Sequence, residues 1–273
     1  MKRPIRFAAS LAAAACLAVL TGPLPSAEKA PTPTPAKTIR AVVVTGGHGF
    51  DAKAFPKTFE GHADIAFEIR QEKPKGKAHL FDDLAKWPYD AIVLYNLNRK
   101  LSASQRENFL KLLDRGVGLV ILHHAIAAYP EWDEYEKILG AKYCLRPIER
   151  NGVKLPRSIW KHGVDIAVHV ADPNHPITKG MKDFVLRDET YGKWTYHKGS
   201  RLLLTTDCPL NNKQLAWVKT CRKSRVFFLQ LGHGPEAYRD ANYRRLVGRG
   251  IRWTAGRLGT DGANAAPSKN SPQ

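Results

Sequence analysis

Four histidines stand where they could do acid–base or metal chemistry: His48 in Gly46-Gly47-His48-Gly49-Phe50, the pair His123-His124, and His233 in Gly232-His233-Gly234. Each follows an apolar run, so each is expected where a buried strand ends. An imidazole exchanges protons near neutral pH and is also a good ligand for divalent metals. The carboxylates that could join them are Asp188-Glu189, with Tyr191 close behind, and Glu236 just after His233. His123, His124, His233 and Glu189 are the expected catalytic groups. Gly47, His48, Phe50, Asp188, Tyr191 and Glu236 are the expected contacts to a substrate. A divalent metal, if present, would take His48, His124 and His233; without one the same groups suffice for acid–base work. Blander roles compete. Glu236 opens a helix, where a carboxylate is a good capping charge. Consecutive residues of an extended segment face opposite ways, so only one of His123 and His124 should face a cleft unless the chain turns there.

The elements that must position these groups are legible. The run 226–231, Val-Phe-Phe-Leu-Gln-Leu, stops at Gly-His-Gly and is followed by Pro235, which suits the first turn of a helix. Such a run without alternation fits a strand covered on both faces. Segments 39–45, 89–95 and 117–122 read the same way, and 64–70 alternates as a further strand. Between them Ser102 and Gln105 form a capping box, Phe109, Leu112 and Leu113 repeat at helical spacing, and Gly116 ends the helix. Strands alternating with helices predict an α/β fold with a doubly wound, mainly parallel sheet. The ligand edge of such a sheet is the carboxyl ends of its strands, where three of these histidine segments fall.

Beyond Tyr129 the pattern changes. A short helix at 132–139, an irregular stretch at 142–162 and a strand at 164–170 suggest an inserted wall over about 130–200. Trp160, Tyr191, Trp194 and Tyr196 in it could stack on sugar rings.

Lys2, Arg3 and Arg6 precede an apolar run at 7–20 that is too short to span a bilayer, so residues 1–27 read as a signal peptide and the protein as exported, periplasmic or extracellular. Cys16 after three alanines offers a lipoprotein alternative, disfavoured because the apolar run continues past it. Residues 28–38 read as a Pro-rich linker, 39–258 as one domain and 259–273 as a disordered tail. The formal charge of +18 falls by three, to +15, when the signal is removed. The basic residues are scattered and no nucleic-acid motif interleaves them with aromatics, so nucleic acid is excluded as a partner and no membrane span is expected. Of the cysteines left after the signal, Cys208 and Cys221 bracket a turn at Asn211-Asn212 and are expected to be able to bond, with Cys144 left over.

Taken together, His48 in its glycine loop, the strand ending His123-His124-Ala125, His175-Pro176-Ile177, Asp188-Glu189 with Tyr191, Ala216-Trp217, and the run from Arg225 to His233 resemble the ThuA-like (trehalose utilisation) family over roughly 39–255. The resemblance implies a flavodoxin-like sheet of the class I glutamine amidotransferase-like superfamily and a role in carbohydrate metabolism. That superfamily places a cysteine in a sharp turn after a central strand. Here His123-His124 stand in that place, so amidotransferase chemistry is not expected. The chain also departs from the family pattern at Cys221-Arg222-Lys223-Ser224, where a glycine-bearing turn is common. Three functions stay open: an enzyme acting on a sugar or keto-sugar, a carbohydrate-binding or accessory module, and a structural domain that keeps only the fold.

Overall fold

The computed structural model describes residues 37–72, 78–150 and 152–259. The expected signal peptide with Cys16, nearly all of the linker, and the tail beyond 259 lie outside them. The apolar runs become β1 (Ile39–Gly46), β2 (Ile65–Gln71), β3 (Ala91–Asn96) and β4 (Gly118–Leu122). The helix between β3 and β4 is α1 (Ala103–Asp114), with the Ser102–Gln105 capping box formed. After β4 come α2 (Asp133–Leu139), the short strands β5 (Ala141–Lys142), β6 (Ile148–Arg150) and β7 (Val153–Leu155), then the long β8 (Ile159–Val170) and β9 (Phe184–Gly192). The chain continues with β10 (Thr195–Tyr196), β11 (Arg201–Thr205), β12 (Gln214–Cys221) and β13 (Ser224–Leu229), and ends with α3 (Pro235–Arg239) and α4 (Ala241–Thr254).

Nine strands form one sheet in the order β2-β1-β3-β4-β13-β12-β11-β8-β9. The first five run parallel, in the strand order of flavodoxin-like folds. The remaining four are antiparallel to their neighbours. Alternate residues of each central strand feed two apolar layers. Ala41, Val43, Val93, Val120 and Phe227 pack with the 3₁₀ turn Phe55–Phe59 and with α3 and α4; Val42, Val44, Ile92, Ile121 and Phe228 pack with α1 and α2. Both faces are covered, which is why these strands are apolar throughout. The segment expected as an inserted wall, about 130–200, contributes β8 and β9, which extend the main sheet. No helix among the described residues is long and apolar enough to cross a membrane.

The expected pairing of Cys208 with Cys221 is not formed, and both thiols are free. The hairpin closes at Arg222-Lys223, where Cys221 pairs with Ser224, not at Asn211-Asn212. Cys208 lies in the loop at the opposite end of β12, so the full length of that strand separates the two. Arg222 takes the left-handed conformation that a glycine would adopt more easily, φ 55°, and its guanidinium reaches Asp114 at 2.5 Å.

Candidate active site

The parallel strands all end on one edge, and their next residues converge. His123 leaves β4 in the left-handed conformation, φ 52°, and opens a 3₁₀ turn over His123–Ala127. This is the sharp turn where the superfamily resemblance implies a cysteine, filled by an imidazole. The turn also corrects the expectation that only one of the pair faces the cleft. His123 points to Glu189 and His233, while the ring of His124 stacks on that of His48 with centroids 4.5 Å apart.

His123 is fully buried, and its Nδ1 lies 2.7 Å from the carbonyl of Gln230, which can only accept. Nδ1 therefore carries a proton and Nε2 faces the site. Three atoms close a triangle there: His123 Nε2 is 3.1 Å from Glu189 Oε2 and 3.2 Å from His233 Nδ1, which is 3.3 Å from the same carboxylate oxygen. The Tyr191 hydroxyl is 2.9 Å from His123 Nε2, its ring stacked on the imidazole. This changes the expected metal set. The convergent donors are His123, Glu189 and His233, whereas His48 and His124 stack on one another beside them.

The loop carrying His233 is held from every side. The Asp188 carboxylate accepts the N–H of Gly232 at 2.7 Å, of His233 at 2.9 Å and of Glu189 at 2.9 Å. Tyr95 donates to the Gly232 carbonyl at 2.7 Å and Tyr238 to that of His233 at 3.1 Å. Gly232 sits at φ 121°, and a Cβ there would come within 2.3 Å of the Tyr243 hydroxyl. Gly47 has a similar use. At φ 77° it lies on the Leu97 carbonyl, 1.8 Å from where a Cβ would be, and so brings the glycine loop down until His48 meets His124.

The electrostatics follow the geometry. Burial pushes the Glu189 carboxyl up, but hydrogen bonds from His123 and His233 outweigh it and hold the group well below the usual carboxylate range. The Glu189 hydrogen bond holds His233 above the ordinary histidine value. Burial, with His123 beside each, holds His48 below that value and His124 well below it. The His124 Nε2 lies 3.2 Å from the Tyr95 carbonyl, so it is protonated; Nδ1 is a buried lone pair with no partner among the described residues. Burial also holds Asp188 above its usual range, against the pull of His123 and the three N–H groups.

One functional histidine was not anticipated. His162 lies in a bulge of β8, where the pairing with β9 shifts between Lys161 and Val164 and Gly163 takes φ 65°. The bulge turns His162 toward Glu189, with Nδ1 3.0 Å from Oε1 and the ring 4.4 Å from that of His233. The available signal was His-Gly inside an otherwise strand-like stretch. Trp160, 51% exposed, lies 4.6 Å from His162, and both line a cavity of about 260 Å³ with His48, His124, Tyr143, Arg157, Glu189 and Tyr191.

Other expected contacts fall outside the site. Phe50 packs edge-on against Phe55 and Tyr95 as part of the core. Glu236 is exposed in the first turn of α3 and joins none of the convergent groups, as a capping charge would. Trp194 and Tyr196 pack on Trp217, which leaves Trp160 as the free aromatic face among those expected to stack. His175 accepts the Ile177 N–H at 3.2 Å in a turn packed on Trp253 and takes no part.

The profile of the ThuA family, described as trehalose utilisation, matches residues 40–254. Among curated proteins, no sequence matches. Solved structures share the fold. A protein described as ThuA-like from Parabacteroides merdae is 20% identical with a TM-score of 0.67, covering 80% of this chain and 90% of that one. One from Bacteroides uniformis is 21% identical with a TM-score of 0.59, covering 84% and 96%. A cytoplasmic protein of Salmonella typhimurium is 14% identical with a TM-score of 0.52, covering 78% and 98%. With the fold, the motif order and the profile in agreement, the chain belongs to the ThuA family.

Proposed function

We propose that the protein acts on a sugar or keto-sugar as a hydrolase or lyase, with His123, Glu189 and His233 at its reacting centre. The observation that carries this reading is the triangle of donor atoms beside a cavity that also offers an aromatic platform at Trp160 and a free imidazole lone pair at His124. The description of the family supports carbohydrate as the ligand class. A neutral His124 is suited to accept a hydroxyl proton, and His162, on the exposed side of Glu189, to deliver or remove one.

The triangle also fits a divalent metal. Ligands about 2.1 Å from a tetrahedral ion lie roughly 3.4 Å from each other, close to the 3.1, 3.2 and 3.3 Å found. Without a metal, the same triangle shares a proton on His233 Nδ1 between Glu189 Oε2 and the lone pair of His123 Nε2. His123 moreover gives its other N–H to a backbone carbonyl, as metal-bound histidines do. A metal held by these three residues would polarise a carbonyl or activate a water.

Metal analysis of untagged protein, with a screen of sugars and 3-keto-sugars, tests the reading. One equivalent of a divalent metal, lost in Glu189→Gln and His233→Ala together with turnover, is the expected result. Turnover unaffected by either substitution would sink it. The second reading is a carbohydrate-binding module, favoured by the exposed face of Trp160; saturable sugar binding without turnover of any sugar would select it. Export to the periplasm or beyond remains part of the proposal, resting on residues 1–27.

A further inference from the structure

The cavity beside Glu189 holds a cation that no group among the described residues neutralises. Arg157 lines it, is exposed, and makes no hydrogen bond or ion pair among the described residues. The one carboxylate lining the same cavity, Glu189, is already engaged by His123, His162 and His233. The guanidinium charge is left for a ligand.

Its place is fixed by the fold. Ser158, the next residue, is buried; its N–H donates to the Cys144 carbonyl at 2.9 Å, and its Oγ accepts the Cys144 N–H at 2.9 Å and donates to the Lys193 carbonyl at 3.1 Å. This tie holds the neighbouring Arg157 on the cavity that Tyr143 and Leu145 also line. Tyr143 lines the same cavity as Glu189 and Arg157, its hydroxyl held up by burial and by Glu189 and drawn down by Arg157. A neighbouring cavity of about 580 Å³ shares Tyr143 and Leu145 and is lined by Lys100, Lys142, Arg146 and Arg150 against Glu131 and Glu149.

We infer that the ligand is an anionic sugar whose carboxylate or phosphate is bound by Arg157, with its ring on Trp160 and its reacting carbon toward Glu189. A guanidinium presents paired N–H donors that match either oxyanion. The inference rests on the sugar-directed reading above and adds the charge of the substrate to it.

Calorimetric titration with D-glucose, D-glucuronate and D-glucose 6-phosphate tests it on the full-length protein. At least one anionic probe should bind roughly tenfold to a hundredfold more tightly than glucose, the range expected of a hydrogen bond to a charged group. Arg157→Gln should bring that probe to the affinity of glucose, and Arg157→Lys should restore part of the difference. The stronger of the two anions tells carboxylate from phosphate. Equal binding of glucose and both anions, an unchanged preference in Arg157→Gln, or no binding of any probe would each overturn the inference. Glu189→Gln separates the two ideas. It should abolish turnover while keeping the anion preference, so a kept preference with turnover unaffected rejects the acid–base or metal reading and leaves the anion site standing.

Discussion

Asp188 and Glu189 are neighbours on β9 with different tasks. Glu189 faces the imidazoles, whereas Asp188 is spent on backbone N–H groups and fixes where His233 sits. Asp188→Asn replaces an acceptor oxygen with a donor that faces those N–H groups, or leaves one unpaired. It should cost about 1–3 kcal/mol in urea unfolding and lower turnover by displacing His233. Glu189→Gln should leave the loop intact while lowering turnover about a hundredfold or more, so the pair separates positioning from chemistry. At this scale the sequence was informative about residue types and poor about partners. His123, His233 and Glu189 were legible because each ends an apolar run or carries a carboxylate beside an aromatic. The expected metal set differs from the convergent trio because His123-His124 was treated as extended: the left-handed turn at His123 depends on tertiary packing that no local pattern records.

Single glycines decide how the elements deliver these side chains. Gly163 lets the bulge of β8 turn His162 inward, and Gly163→Val puts a β-branched residue at a positive φ. A stability loss of roughly 1–3 kcal/mol is expected, with a larger change in KM than in the fold as judged by circular dichroism. Gly250 lets α4 approach the sheet; a Cβ there would stand 2.3 Å from the Phe227 ring. Gly250→Ala should cost about 1–3 kcal/mol by overpacking, read as a lower midpoint in denaturant with an unchanged m-value. The central strands, α1 with its capping box and α2 were readable because burial on two faces and helix capping are local rules. The placement of β8 and β9 was not, since a long strand half exposed and broken by a bulge has neither clean alternation nor an apolar run. The cysteine pairing failed for a related reason, the turn being read one strand too early.

For the molecule as a whole, acid should weaken the fold partly through His175. Burial holds this residue at about 4, below its unfolded value of 6.5. A histidine whose folded pKa is depressed contributes stability in full above the unfolded value and loses it as pH falls toward the folded one. Protonating Nδ1 also removes the acceptor of the Ile177 N–H. Stability measured by denaturant should therefore fall between about pH 6.5 and 4, and His175→Gln should flatten that segment of the curve. Export remains an expectation of the same scale: sequencing of the native protein should place its first residue near Glu28, and an intact Met1 would reject it.

The hairpin of β12 and β13 enters the sheet between β4 and β11, and β13 pairs Val226 with Leu119 and Leu229 with Leu122 across more than a hundred residues of chain. The histidines those two strands deliver are just as distant in sequence. Long-range closures of this kind make folding slow, and they give the protein an order of events. A chain emerging from the ribosome or from a translocon can pair β1, β2, β3 and β4 early, but β4 lacks its second neighbour, and the site its third corner, until the last fifth is free. Under the proposed function, turnover therefore requires nearly the whole chain, and a product truncated before β13 is expected to be inactive.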